Sequence, residues 1–105
     1  MSSELKIKEE VLPEFVSVGL CGEVDISSSQ VFKDKLYKLI EDYKRNIKLD
    51  CSGLTYIDST GLGILVGALK KTKQSENTII IKGLKDNIKK LFYITGLDKI
   101  FVIEE

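Results

Sequence analysis

The hydrophobic period of this chain switches repeatedly between two residues and three to four residues, and the order of those switches constrains the fold most. Two segments near the start alternate. Leu5 and Ile7, with Glu9 in step, mark the first, and Phe15, Val16, Val18 and Leu20 mark the second. A period of two is the pattern of a half-buried strand. Pro13, the only proline, lies between the two segments, so their short connection reads as an antiparallel hairpin. Gly19 and Gly22 punctuate the end of the second strand.

From Ser28 to Lys44 the period becomes helical, with Phe32, Leu36, Leu39, Ile40 and Tyr43 on one stripe and Ser27, Ser28 and Ser29 as candidate N-caps. Ile47–Cys51 reads as a third strand closed by Gly53. Ser59 to Lys73 is a second helix with Leu62, Leu65, Val66 and Leu69 on one face. Thr78–Lys82 is a fourth strand ended by Gly83. Ile88, Leu91, Phe92 and Thr95 form a third helical stripe with Gly96 as its stop, and Lys99–Ile103 is a fifth strand. Glu104 and Glu105 read as a solvated end.

Strands that alternate with helices imply a parallel sheet with helical crossovers. The expected fold is therefore α/β: a mixed, mostly parallel five-stranded sheet with about three helices and an antiparallel first strand. Strand order is left open. In such a sheet the strand-to-helix loops emerge together at the carboxyl edge. Gly22–Ser29, Ser52–Ser59 and Gly83–Lys85 should meet there, bringing Asp25, Asp58, Ser59 and Thr60 to one edge.

Composition removes several function classes. Sixteen basic and sixteen acidic residues cancel, so no global field attracts nucleic acid or an acidic membrane. The absence of histidine excludes chemistry that needs a histidine base, a phosphohistidine or a histidine metal ligand. No apolar run approaches the ~20 residues of a bilayer span, and the start lacks a signal-peptide core, which points to a soluble cytoplasmic protein. Cys21 and Cys51 form neither a Cys-x-x-Cys pair nor a disulfide framework. They read as small half-buried structural residues at the ends of the second and third strands.

Among the motifs, Gly61-Leu62-Gly63-Ile64-Leu65-Val66-Gly67 opens a helix but has neither dinucleotide-fingerprint spacing nor the Lys-Ser/Thr ending of a P-loop. Its glycines read as close approaches of helix to sheet, and in the first turn they leave backbone N–H groups uncovered for a partner. Either Asp58 or Ser59 can cap that helix. A hydroxyl at a helix N-terminus is also a favourable carrier of phosphate, because the dipole and free N–H groups stabilise the added charge. Asp25 reads as a turn or capping residue before the serine run. With Asp58 it could form a carboxylate pair for Mg²⁺, but two acids without a pocket define no metal site. Neither a metal nor a cofactor is expected. Lys33, Lys35, Lys38, Lys70, Lys71, Lys73, Lys89 and Lys90 read as solvated helix faces.

Three segments, taken together, resemble the anti-sigma factor antagonists, the single-domain members of the STAS family. They are Gly22-Glu23-Val24-Asp25, then Leu49-Asp50-Cys51-Ser52-Gly53 through Ile57-Asp58-Ser59-Thr60-Gly61-Leu62-Gly63, then Leu91-Phe92-Tyr93-Ile94-Thr95-Gly96-Leu97. Their order and spacing cover nearly the whole chain, so residues 1–105 read as one STAS domain.

The resemblance implies a non-enzymatic partner switch. Such a protein binds an anti-sigma factor that is also an ATP-dependent serine kinase, and so releases the sigma factor. Ser59 is then the phosphoacceptor, a PPM-type serine phosphatase restores the active form, and Asp25 belongs to the partner-contacting region. Asp58, Thr60, Gly61 and Gly63 complete the expected contact surface. Thr60 stands where relatives often carry serine. The helix that many members carry after the last strand is expected to be short or missing. The other reading that the resemblance allows is a sensory or scaffolding STAS module for a nucleotide, a lipid or a larger signalling assembly.

Overall fold

In the computed structural model, which describes residues 4–104, one sheet takes its strands in chain order. Strand β1 (Lys6–Val11) pairs antiparallel with β2 (Phe15–Val24). Strands β3 (Asn46–Ile57), β4 (Ile79–Lys82) and β5 (Val102–Glu104) follow in parallel. The strand order that periodicity leaves open is thus the simplest one, β1-β2-β3-β4-β5. Helices α1 (Ser29–Tyr43), α2 (Ser59–Gln74) and α3 (Asp86–Ile94) form the three crossovers, and a 3₁₀ turn over Leu97–Lys99 leads into β5.

The alternation in the strands sorts the sheet into two faces. Val16, Val18 and Leu20 of β2, Ile47, Leu49 and Cys51 of β3, and Ile79 and Ile81 of β4 are buried. They share one cluster with Phe32, Leu36 and Ile40 of α1, Leu65, Ala68 and Leu69 of α2, and Ile88 and Phe92 of α3. Each fully buried Val, Leu, Ile or Phe contributes roughly 1.5–3 kcal/mol. The residues between them, such as Ser17, Gly19, Lys48, Asp50 and Lys82, stay half or fully exposed on the other face.

Four expectations need correction. Strand β3 does not close at Gly53 but runs on to Ile57, because β2 also continues and pairs with it: Cys21 with Gly53, Gly22 with Leu54, Glu23 with Tyr56 and Val24 with Ile57. Register shifts between Gly19 and Cys21 and between Gly22 and Glu23 hide this extension from simple alternation. Gly53 is a point of close approach, where a Cβ would lie 2.8 Å from the Leu20 carbonyl oxygen. Second, the last strand starts later than Lys99. Lys99 ends the 3₁₀ turn, Ile100 caps it, and Phe101 packs on Phe92 with ring centroids 6.0 Å apart before β5 begins at Val102.

Third, Tyr43 leaves the buried stripe of α1 and lies exposed beside Arg45. Thr95 likewise ends α3 as an exposed C-cap, with Gly96 at φ 77° carrying the chain out as expected. Fourth, Cys21 and Cys51 lie inside their strands, the first exposed and the second buried. The last described element is β5, and Glu105 of the acidic end lies outside the described residues.

Candidate functional site

The common length of β2 and β3 builds the site. Val24 pairs with Ile57 in the last parallel register, and the Asp58 N–H donates to the Val24 carbonyl at 3.3 Å. The two chains therefore leave the sheet side by side, one into the Asp25 loop and the other into α2. Asp25, Asp58, Ser59 and Thr60 all lie at this carboxyl edge, as expected. The third loop does not join them. Gly83 packs against Ser52 and Asp50, and the Lys85 ammonium donates to the Ser52 carbonyl, well before β3 ends.

Asp58 is the helix cap. Its Oδ1 accepts the Gly61 N–H at 2.9 Å, and its carbonyl accepts the Leu62 N–H at 3.0 Å. This resolves the choice between Asp58 and Ser59. Ser59 is the first helical residue, exposed like Thr60, and its hydroxyl makes no hydrogen bond among the described residues. The Ser59 and Thr60 N–H groups belong to the unpaired donors of the first turn. The arrangement offers an unengaged nucleophilic oxygen at the positive end of a helix of 16 residues.

Asp25 organises the neighbouring loop from within. Its Oδ1 accepts the Ser27 N–H at 2.9 Å, the Ser27 hydroxyl at 2.6 Å, the Ser28 N–H at 3.2 Å and the Ser28 hydroxyl at 3.3 Å. Its carbonyl accepts the Ser28 and Ser29 N–H groups. The Ser28 hydroxyl also donates to the Glu23 carbonyl at 2.8 Å, which ties the loop back to β2. The Ser27 hydroxyl bond is the leading cause that holds the Asp25 carboxyl below its ordinary value. Oδ2 takes part in none of these bonds and is the oxygen left for an outside donor.

The glycines of α2 have different reasons to be glycine. A Cβ at buried Gly61 would lie 2.6 Å from Ile57 Cγ1 and 2.8 Å from Val24 Cγ1. At Gly67 it would lie 2.2 Å from the Tyr37 hydroxyl, which donates to the Ile64 carbonyl. Exposed Gly63 has nothing within 4 Å of that position. It stands four residues after Ser59 and so follows it on the same helix face. Close approach to the sheet thus explains Gly61, packing on α1 explains Gly67, and no contact within the chain explains Gly63.

Two residues at this edge are missed by motif reading. Ile26, directly after Asp25, is 90% exposed, and Tyr56, two residues before Asp58, is 48% exposed. The available signal is an apolar side chain placed between a strand end and a serine run. Among the described residues no group of three or more cysteine, aspartate or glutamate side chains gathers as a metal site, and no helix is long and apolar enough to cross a membrane. Cys51, opposite in burial to Cys21, has its thiol pushed up to about 12, mainly by burial and then by Asp50.

A mixed α/β domain with a capped helix presenting a bare hydroxyl at its sheet edge is the class that fold and site define. Residues 5–105 match the STAS domain, and the chain belongs to that family. It is 34% identical over 101 residues to an anti-sigma-B factor antagonist of Staphylococcus aureus, covering 96% of this chain and 94% of the relative. Its identity to the anti-sigma-B factor antagonist of Listeria monocytogenes is 33% over 106 residues, covering 99% and 90%. The fold is shared with the anti-sigma factor antagonist SpoIIAA of Bacillus. In the unphosphorylated form the TM-score is 0.81 at 20% identity over 97% of this chain and 89% of that one. The phosphorylated form gives a TM-score of 0.74 at 20% identity over 97% and 92%.

Proposed function

We propose that this chain is an anti-sigma factor antagonist. Unphosphorylated, it binds an anti-sigma factor that is also a serine kinase and displaces the sigma factor, and phosphorylation of Ser59 switches it off. The observation that carries the reading is the exposed, unengaged Ser59 hydroxyl on a helix whose cap is supplied by Asp58. The similarity to two bacterial anti-sigma-B factor antagonists over nearly the full chain supports the same reading.

In the transfer step the Ser59 Oγ attacks the γ-phosphorus of ATP bound to the kinase. The bond from that phosphorus to the β,γ-bridging oxygen breaks, ADP leaves, and the hydroxyl proton passes to a base of the kinase. The product adds a charge of about −1.5 to −2 beside Asp58. The helix N-terminus stabilises that charge in the free protein. A close interface must strip it of water beside a second carboxylate, which costs several kcal/mol unless it is paired. Affinity therefore falls without a change of fold. Asp25, Asp58, Thr60, Gly61 and Gly63 form or shape the contact surface. A PPM-type serine phosphatase hydrolyses the phosphoserine and resets the switch.

The test is reconstitution with a purified kinase-type anti-sigma factor and ATP. The reading requires stoichiometric phosphate on Ser59, loss of the complex on phosphorylation, and its retention in Ser59→Ala. A wild-type chain that takes no phosphate and binds no such kinase, yet binds a nucleotide or lipid, would overturn it in favour of a sensory module.

A further inference from the structure

At the far end of α2 from Ser59, a groove of about 550 Å³ opens between that helix and the 3₁₀ turn before β5. At ~1.5 Å rise per residue, the groove runs from roughly 10 Å (Val66) to roughly 20 Å (Lys73) along the helix from Ser59. The floor is apolar, made by Val66, Leu69 and Ile100, and the rim is Lys70, Lys73 and Lys99. Val66, Leu69, Lys70 and Lys73 follow i, i+3, i+4, i+7, so one continuous stripe of α2 forms a wall of the groove. Ile100, 45% exposed, faces it from the 3₁₀ turn side.

The charges distinguish this face from the rest of α2. Lys71, on the side toward α1, is paired with Glu41 at 2.7 Å and lies over the Tyr37 ring. Among the described residues Lys70, Lys73 and Lys99 take part in no salt bridge, and the groove lining contains no acidic residue. Lys70 and Lys73, three apart on one helix face, repel each other in the free protein. In a chain with balanced charge, three unpaired ammonium groups around an apolar floor are a local excess that a ligand of opposite pattern would relieve.

We propose that this groove is a second protein-docking surface, and that its occupant is an acidic amphipathic helix of a partner protein. A helix lying beside α2 places an apolar stripe over Val66, Leu69 and Ile100 while its flanking Asp or Glu side chains reach the lysine rim. The stripe on α2 spans two turns, which matches the i, i+3/i+4, i+7 anchors of such a ligand. Because the groove is remote from Ser59, this surface stays available in either phosphorylation state of the other edge, and it does not depend on the function proposed above.

The experiment uses the full chain, isotopically labelled for NMR. The probes are a synthetic amphipathic peptide of about twenty residues with a leucine stripe flanked by glutamate, its lysine-flanked counterpart, and vesicles of phosphatidylglycerol and phosphatidylcholine. The expected result is salt-sensitive binding of the acidic peptide, with shifts centred on Val66, Leu69, Lys70, Lys73 and Ile100. The exposed double variant Lys70→Glu, Lys73→Glu should weaken it about tenfold and admit the lysine-flanked peptide instead, while Ser59→Asp should leave binding unchanged. Equal binding of both peptides, shifts centred elsewhere, or response to the anionic vesicles alone would overturn the proposal.

Discussion

The Oδ1 of Asp58 accepts the Gly61 N–H at 2.9 Å, so the cap of α2 and its exposed hydroxyl belong to different residues. Asp58→Ala should therefore cost about 0.5–2 kcal/mol of stability through the lost cap. Ser59→Ala should stay within about 0.5 kcal/mol of wild type, the range of surface substitutions that remove no structural bond. Ser59→Asp should fold at least as well as Ser59→Ala, because the helix N-terminus favours an anion. It should nevertheless bind the anti-sigma kinase more weakly, since its charge must be desolvated beside Asp58. Thermal unfolding and calorimetric titration of each variant with the kinase separate the two effects. Equal kinase affinity for the alanine and aspartate variants would rule out a charge switch at this position.

Gly61 and Gly63 should respond to alanine in opposite ways. At Gly61 the new methyl meets Ile57 and Val24 in the core, an overpacking that costs about 1–3 kcal/mol. At Gly63 the methyl meets nothing, so replacing a helical glycine should stabilise the fold by about 0.5–1 kcal/mol. If a partner approaches the bare backbone beyond Ser59, the more stable Gly63→Ala variant binds more weakly. Denaturant midpoints and kinase affinities give the comparison. A Gly63→Ala protein that gains stability and keeps full affinity removes Gly63 from the contact surface.

How far the fold and site could be read from residues alone depends on whether a segment obeys one period. The first part of β2 and most of α1 do: Val16, Val18 and Leu20, and Phe32, Leu36, Leu39 and Ile40, are buried as expected, while Tyr43 is not. The second half of β3 does not. Ser52, Gly53, Thr55 and Tyr56 read as a loop, and only the bulged pairing with β2 makes them a strand. The shared edge of Asp25 and Ser59 was legible because parallel topology requires it, whatever the strand length. The turn role of Asp25 was legible from the serines that follow it, but the gathering of four hydrogen bonds on one of its oxygens was not. The contrast between Gly61 and Gly63 depends on distances across the core and had no signal at all.

Asp25 should act first through its loop. Its folded pKa lies below the ordinary 3.8, with the Ser27 hydroxyl bond as the leading cause. A depressed carboxylate contributes stability that is present above the unfolded value and is lost as pH falls through the folded one. The Ser27 and Ser28 amide resonances should therefore follow the Asp25 carboxyl with a midpoint below its ordinary 3.8. Asp25→Ala should give those amides their low-pH positions at pH 7, with little change in global stability. An amide midpoint at or above the ordinary 3.8 would contradict the inward bonding.

Cys51 carries the opposite linkage. Burial, with Asp50 second, lifts its thiol from 9.0 to about 12, so the folded state keeps a proton that the unfolded state releases. Between pH 9 and about 12 the native chain binds more protons than the unfolded one, and stability falls as pH rises. Cys51→Ala removes this dependence. At neutral pH it should be about 1 kcal/mol less stable than wild type from lost packing, and the gap should close as the pH passes 9. Every other titratable group is common to the two proteins, so the difference between their denaturation curves isolates the thiol. Exposed Cys21 should be alkylated in the native chain, while Cys51 should react only after unfolding. Parallel stability curves, or equal alkylation rates for the two cysteines, would mean that Cys51 is not held protonated in the core.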